Sequence, residues 1–257
     1  MKKKVYNAYL IDLDGTLYRG NQPIPHAKEF IQTLRQLNYP FLFITNNSTT
    51  RPEVVAERLR VKFGIDARDE EVYTSALATA DYLKKQQAET AYVIGEEGLH
   101  AAITQAGVIE TKNNPEYVVV GLHRSVTYQD VEEAALAIQN GATYVLTNAD
   151  TNYPTERGLL PGAGSIGAMV EVAGRQKPIV IGKPGKNMIT EALHQLKVSA
   201  DETLMVGDNL DTDILAGQQS GVDTLLVLTG VSTLEDALQR KEKPTYIREH
   251  LGKWDLP

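Results

Sequence analysis

Four short apolar runs in this chain each stop on a polar residue with chemistry to offer. The run beginning at Ala8 enters Asp12-Leu13-Asp14-Gly15-Thr16, and the one beginning at Phe41 closes on Thr45. Residues 179–182 lead to Lys183, and residues 204–207 lead to Asp208. Between such runs lie longer amphipathic stretches, at 27–37 and after Pro52, a residue suited to a first helical turn. Further short runs at 91–94, 117–121, 144–147 and 224–228 continue the alternation. Strand-length and helix-length segments in alternation predict an α/β fold around a parallel sheet. In an open parallel sheet the carboxyl ends of the strands share one rim, where ligands bind. Asp12, Thr45, Lys183 and Asp208 are therefore expected on one rim.

The chain has 257 residues, 42% hydrophobic and 23% charged, enough to bury a sizeable core. It contains no cysteine, which excludes disulfides and thiolate metal sites and suits a reducing cytosol. Lys2, Lys3 and Lys4 precede only a short apolar run broken by Asp12 and Asp14, unlike a signal peptide. No run nears the ~20 apolar residues of a membrane span. A soluble, cytoplasmic protein with no membrane partner is expected. A net charge of −7 argues against a nucleic-acid polymer as partner. It does not argue against a small anion, because a metal ion and one lysine make a locally positive pocket. Association into a homo-oligomer is left open.

Asp12 and Asp14 lie two residues apart where a strand should end, and Gly15 permits a tight turn. Such a carboxylate pair suits Mg²⁺, which takes a few protein oxygens and keeps waters and substrate phosphate. An acidic solvated turn has the same composition, but it does not require an apolar strand running straight into it. Asp208, Asp211 and Asp213 crowd a second strand end, and carboxylates placed together repel without a cation. A helix N-terminus would also welcome them. Thr45-Asn46-Asn47-Ser48 offers a hydroxyl and an amide to a phosphoryl oxygen, and also reads as a plain helix-capping loop. Lys183 is a point charge able to neutralise phosphate, although a lone lysine is ordinarily a surface residue.

In this order the segments resemble the four motifs of the haloacid-dehalogenase (HAD) superfamily of phosphatases. Asp12-Leu13-Asp14-Gly15-Thr16 resembles the first, Thr45 the second, Lys183 the third, and Gly207-Asp208 with Asp213 the fourth. Thr45-Asn46-Asn47-Ser48 and Gly207-Asp208-Asn209-Leu210-x-Thr212-Asp213 are similar to the NagD-like subfamily. One departure is His123, where those relatives often have aspartate. The resemblance implies a Rossmann-like parallel-sheet core carrying a second, inserted α/β cap domain. Spacing agrees: 137 residues separate Thr45 from Lys183, against roughly 30 for one crossover. The core is expected at 1–87 and 178–257 and the cap at 88–177.

What the resemblance implies chemically is a Mg²⁺-dependent phosphatase acting on a small phosphorylated metabolite, such as a nucleotide or sugar phosphate. Asp12, Asp208 and the Asp14 carbonyl would hold the metal, with Asp213 in support. Asp12 would attack phosphorus to give an aspartyl-phosphate, and Asp14 would act as acid and then base. Thr45, Asn46, Asn47 and Lys183 would grip the phosphoryl oxygens. Asp150, Asn152 and Arg157, in cap segments read as loops, are candidates to touch the leaving group. A halide-removing relative, disfavoured by Asp14 and the Asp208 cluster, is the close rival; a phosphomutase using the same phospho-aspartate is the second, and a non-catalytic binding protein on this fold the distant one. Gly162-Ala163-Gly164-Ser165-Ile166-Gly167 matches a dinucleotide fingerprint, but its sequence context lacks a preceding strand and a later acidic residue. Its glycines are expected to shape entry to a helix near 168–173.

Overall fold

The computed structural model describes residues 4–155 and 157–256. The chain divides into two compact units. One is drawn from residues up to Thr45, from Pro52–Tyr73 and from Ile189 onward; the other comprises Asn46–Arg51 and Thr74–Met188.

The first unit is built on a six-stranded sheet. Its order is Tyr246–Arg248, Asp223–Val227, Thr203–Gly207, Ala8–Ile11, Phe41–Thr45 and Val72–Thr74. The pairings among the first five strands are parallel. Ala8–Ile11 lies centrally, with Leu10 opposite Met205 on one side and Leu42 on the other. All four of its residues are buried, as expected of a parallel strand covered on both faces. The run beginning at Ala8 leaves the sheet after Ile11 for a clear reason. Asp12 N–H still bonds Val206 at 2.9 Å, but the Leu13 carbonyl already accepts from Leu17 at 2.8 Å, which closes a turn.

Helix Ala27–Gln36 places Ala27, Phe30, Ile31 and Leu34 on one buried stripe. They pack with Tyr9, Ile11, Phe41 and Phe43 in the core. The helix stops where Asn38 turns left-handed at φ 57°. At the start of strand Asp223–Val227, Asp223 accepts from Lys4 at 2.6 Å and from the Tyr6 hydroxyl at 2.8 Å. Burial works to raise the Asp223 carboxyl, but Lys4, Tyr6 and Thr245 outweigh it and hold its pKa below the ordinary aspartate range. A depressed folded pKa means stability that is present above the unfolded pKa and lost as pH falls through the folded one. Asp223→Asn should therefore cost about 1 kcal/mol at neutral pH and nothing in strong acid. Denaturant melts at pH 7 and pH 2 check this, and an equal loss at both would refute it.

The second unit is the inserted α/β domain, with a parallel sheet of its own. Its order is Ile179–Val180, Thr143–Leu146, Tyr117–Val120, Thr90–Ile94 and Ile109–Glu110. Val131, Ala134 and Ile138 of helix Tyr128–Gln139 meet Ile166 and Val170 of helix Ala163–Gly174 in its core. Thr127 and Asp130 cap the first of these helices reciprocally.

Two local expectations change here. Asn152–Thr155 is a strand rather than loop, paired antiparallel with Gly158–Pro161. The glycine fingerprint therefore does follow a strand, but one of a hairpin rather than of a parallel crossover unit. Its helix starts at Ala163, earlier than 168. A Cβ on Gly162 would stand 2.2 Å from the Asp150 carbonyl, and one on Gly164 2.4 Å from that of Ala149. These glycines admit backbone. No helix among the described residues is long and apolar enough to cross a membrane.

Candidate active site

In the first unit, strands Ala8–Ile11 and Thr203–Gly207 are neighbours and deliver Asp12 and Asp208 from adjacent ends. After Asp208 the chain makes one turn of π-helix over Leu210–Ile214, a geometry often found at functional sites. That turn brings Asp213 back beneath Asp208. Asp213 Oδ2 accepts the main-chain N–H of Asp208 at 3.2 Å and of Asn209 at 3.1 Å. Carboxylate oxygens of Asp12, Asp208 and Asp213 then all lie within 4.8 Å of one another, and all three residues are buried.

Three buried carboxylates at that separation repel strongly unless a cation sits among them. Neutral main-chain donors supply several of the bonds that reach Asp208 and Asp213. Val231 N–H gives Asp208 Oδ2 a bond at 2.6 Å. The Thr16 hydroxyl lies 3.4 Å from Asp12 Oδ2 and 3.5 Å from Asp208 Oδ1. The all-oxygen donor set fits a hard divalent cation. Asp211 stands apart: it is exposed and ion-paired with Arg240.

Asp14 lies outside the three-carboxylate cluster. Its residue surface reaches solvent, yet the protein packed around the carboxyl pushes its pKa up. The Gly20 N–H and the charges of Arg58 and Arg19 pull the other way and do not cancel that rise. A raised carboxyl pKa is what a proton donor needs. The segment after Asp14 forms a small hairpin, Tyr18–Arg19 against Gln22–Pro23. Arg58 holds it by bonding the Gly20 carbonyl at 2.7 Å and lying over the Tyr18 ring, which stacks on Phe63 at 4.5 Å. Arg19 bonds the carbonyls of Thr229 and Gly230.

No motif in the sequence marks that last loop. Thr229 Oγ1 donates to the Gly15 carbonyl at 2.7 Å, Ser232 Oγ accepts from Leu210 N–H at 3.0 Å, and Ser232 N–H bonds Asp208 O at 3.1 Å. Residues 229–232 thus bracket both acidic loops. One signal could have found them: they follow strand Asp223–Val227, a further carboxyl end on the same rim.

Thr45 closes strand Phe41–Thr45, beside the Asp12 strand. The remaining candidates belong to the second unit. Lys183 is 2% exposed, so it is not the surface lysine its residue type suggests. Its main chain is held by Asn46, whose Oδ1 accepts from Lys183 N–H at 2.9 Å and whose Nδ2 donates to Lys183 O at 2.8 Å. The same Nδ2 faces Asp150, 3.2 and 3.1 Å from its two oxygens. Asn46, Lys183 and Asp150 are thereby brought together. Asn47 instead turns on Thr49 and Thr50. Asn152 and Arg157 lie on the exposed hairpin.

A parallel sheet whose central strand ends in a buried carboxylate cluster, with an α/β domain inserted in the chain, defines a class of phosphatase. The haloacid dehalogenase-like hydrolase model matches residues 9–109, and a HAD-hydrolase-like model matches residues 180–254. The chain is 46% identical over 252 residues to 5'-nucleotidase YutF of Bacillus subtilis (strain 168), covering 98% of each. It is 49% identical over 252 residues to an acid sugar phosphatase of Staphylococcus aureus (strain USA300), covering 97% of each. The structure of NagD from E. coli K-12 superposes with a TM-score of 0.94 at 37% identity, covering 99% of this chain and 100% of that one. The chain belongs to the haloacid-dehalogenase superfamily, as a NagD-like phosphatase.

Proposed function

We propose that the protein is a Mg²⁺-dependent phosphatase of small phosphomonoesters that works through an aspartyl-phosphate on Asp12. The observation that carries this reading is the buried group of Asp12, Asp208 and Asp213. Asp12, Asp208 and the Asp14 main-chain carbonyl would hold the ion, with Asp213 fixing the Asp208 loop. Bound there, Mg²⁺ supplies the positive charge that lets a phosphate anion approach a carboxylate.

Asp12 attacks phosphorus as the ester oxygen leaves with a proton from Asp14. Asp14, now ionised, takes a proton from water, which attacks the same phosphorus and frees Asp12 with inorganic phosphate. The upward shift of the Asp14 pKa supports its acid role. Thr45, the Asn46 main chain, Asn47 and Lys183 are assigned to the phosphoryl oxygens. Asp150, Asn152 and Arg157 are the candidates for the leaving-group side, and the insertion over 88–177 is assigned to substrate choice.

Relatives named for a nucleotide and for sugar phosphates are about equally similar, so both classes belong in the test. Phosphate release is measured over a panel of nucleoside monophosphates, sugar phosphates and an aryl phosphate, with and without Mg²⁺. Chelation should remove activity on every substrate turned over, and Mg²⁺ should restore it. Full activity after chelation would overturn the metal assignment. Transfer of phosphate back to a phosphosugar would replace hydrolysis by the mutase reading.

A further inference from the structure

The side chain of Asn46 is fully committed within the second unit. Toward Lys183 it acts as acceptor and donor at once, at 2.9 and 2.8 Å, the exchange two residues make in an antiparallel ladder. Its second amide hydrogen is shared by the two oxygens of Asp150. The main-chain oxygen of Asn46 is fixed too, accepting from Ser75 Oγ at 2.7 Å and from Asn148 Nδ2 at 2.8 Å. Asn148 is buried. A Cβ on Gly182 would lie 2.7 Å from Asn46 Oδ1, so the residue before Lys183 leaves no slack. Asp150 is set by its own surroundings: its N–H bonds Asn148 Oδ1 at 3.1 Å, and its carbonyl accepts from Gly164 N–H at 2.9 Å.

We propose that Asn46 is a positioning residue for Lys183, oriented by the Asp150 carboxylate, and that its side chain therefore does not bind substrate. A neutral amide is required at this point. It must accept from one main-chain group of Lys183, donate to the other, and still offer a hydrogen to a carboxylate. Aspartate has the same shape but lacks both donors, and it would set a second negative charge against Asp150. Asp150 becomes part of the support of the phosphate-gripping lysine rather than a reader of the leaving group. The inference rests on the phosphate role proposed for Lys183.

The test uses the Mg²⁺-loaded enzyme, with inorganic phosphate as competitive inhibitor of aryl phosphate hydrolysis. N46D is expected to weaken phosphate inhibition and to lower kcat/KM by about 10²-fold, the scale of an ångström misplacement of a catalytic group. D150N is expected to lose several-fold. In the N46D background, D150N is expected to regain part of the loss, because the new amide can donate to the new carboxylate. The two substitutions are then non-additive. Additive effects, or a changed melting temperature with unchanged phosphate inhibition, would overturn the proposal. Should N46D not fold, D150N alone decides, since unchanged phosphate inhibition in that variant contradicts it. K183M separates the two readings. If it keeps phosphate affinity, the role of Lys183 falls; if it loses affinity while N46D and D150N do not, only the positioning role falls.

Discussion

Asp12→Asn is expected to lower Mg²⁺-dependent phosphate release by about 10³-fold or more, with the fold intact. The amide fills the space of the carboxylate but is no nucleophile toward phosphorus. Folding should not suffer, because Asp12 is one of three like charges whose oxygens lie within 4.8 Å of one another. Removing one relieves repulsion in the metal-free protein. The variant should accordingly melt above the wild type in chelator, and Mg²⁺ should narrow the gap by stabilising the wild type more. Steady-state kcat and paired melting curves measure both effects. Full activity in this variant would end the nucleophile assignment.

Gly230→Ala is expected to damage the proposed metal site although no carboxylate is replaced. A Cβ there would fall 1.8 Å from Asp208 Oδ2 and 2.2 Å from its Cγ. Asp208 has little room to retreat. Its Oδ2 is tied to Val231 N–H, and Gly15, held left-handed at φ 92°, closes on it so that a Cβ there would fall 2.3 Å from Oδ2. Forcing a methyl into such packing costs about 1–3 kcal/mol. If Asp208 holds the metal as proposed, displacing it should raise the Mg²⁺ concentration for half-maximal activity about 10- to 100-fold. A titration of activity against Mg²⁺ decides it. Wild-type half-saturation would mean that the loop over Asp208 is free to move.

Much of this arrangement is legible in the residues. Phe41–Thr45 has the expected bounds because a continuous apolar run stops abruptly on a polar loop. The crowding of Asp208 and Asp213 at one strand end already points to a single acidic loop, and the π-turn is what brings the two together. What stays hidden is short or generic. Val72–Thr74 and Tyr246–Arg248 have three residues each, too few to establish a period. The hairpin at Asn152–Thr155 contains a proline, which reads as a turn. The support from Thr229 and Ser232 runs through hydroxyls and main-chain groups, and threonine, glycine and serine after a strand resemble any loop. Nor could spacing reveal that the Asn46 carboxamide is spent on Lys183, since only the tertiary register sets the two beside each other.

The central place of strand Ala8–Ile11 also bears on how the chain is made. It is made before one of its two partners, Thr203–Val206, which follows the whole inserted sheet in sequence. The strands of the inserted sheet, by contrast, all come from one continuous stretch, Thr90 to Val180. During translation that sheet has all its partners while one flank of Ala8–Ile11 still lacks a neighbour. An open, wholly apolar strand edge invites pairing with other chains. Strand Ala8–Ile11 thus keeps one apolar edge unpaired until Thr203–Gly207 has been made.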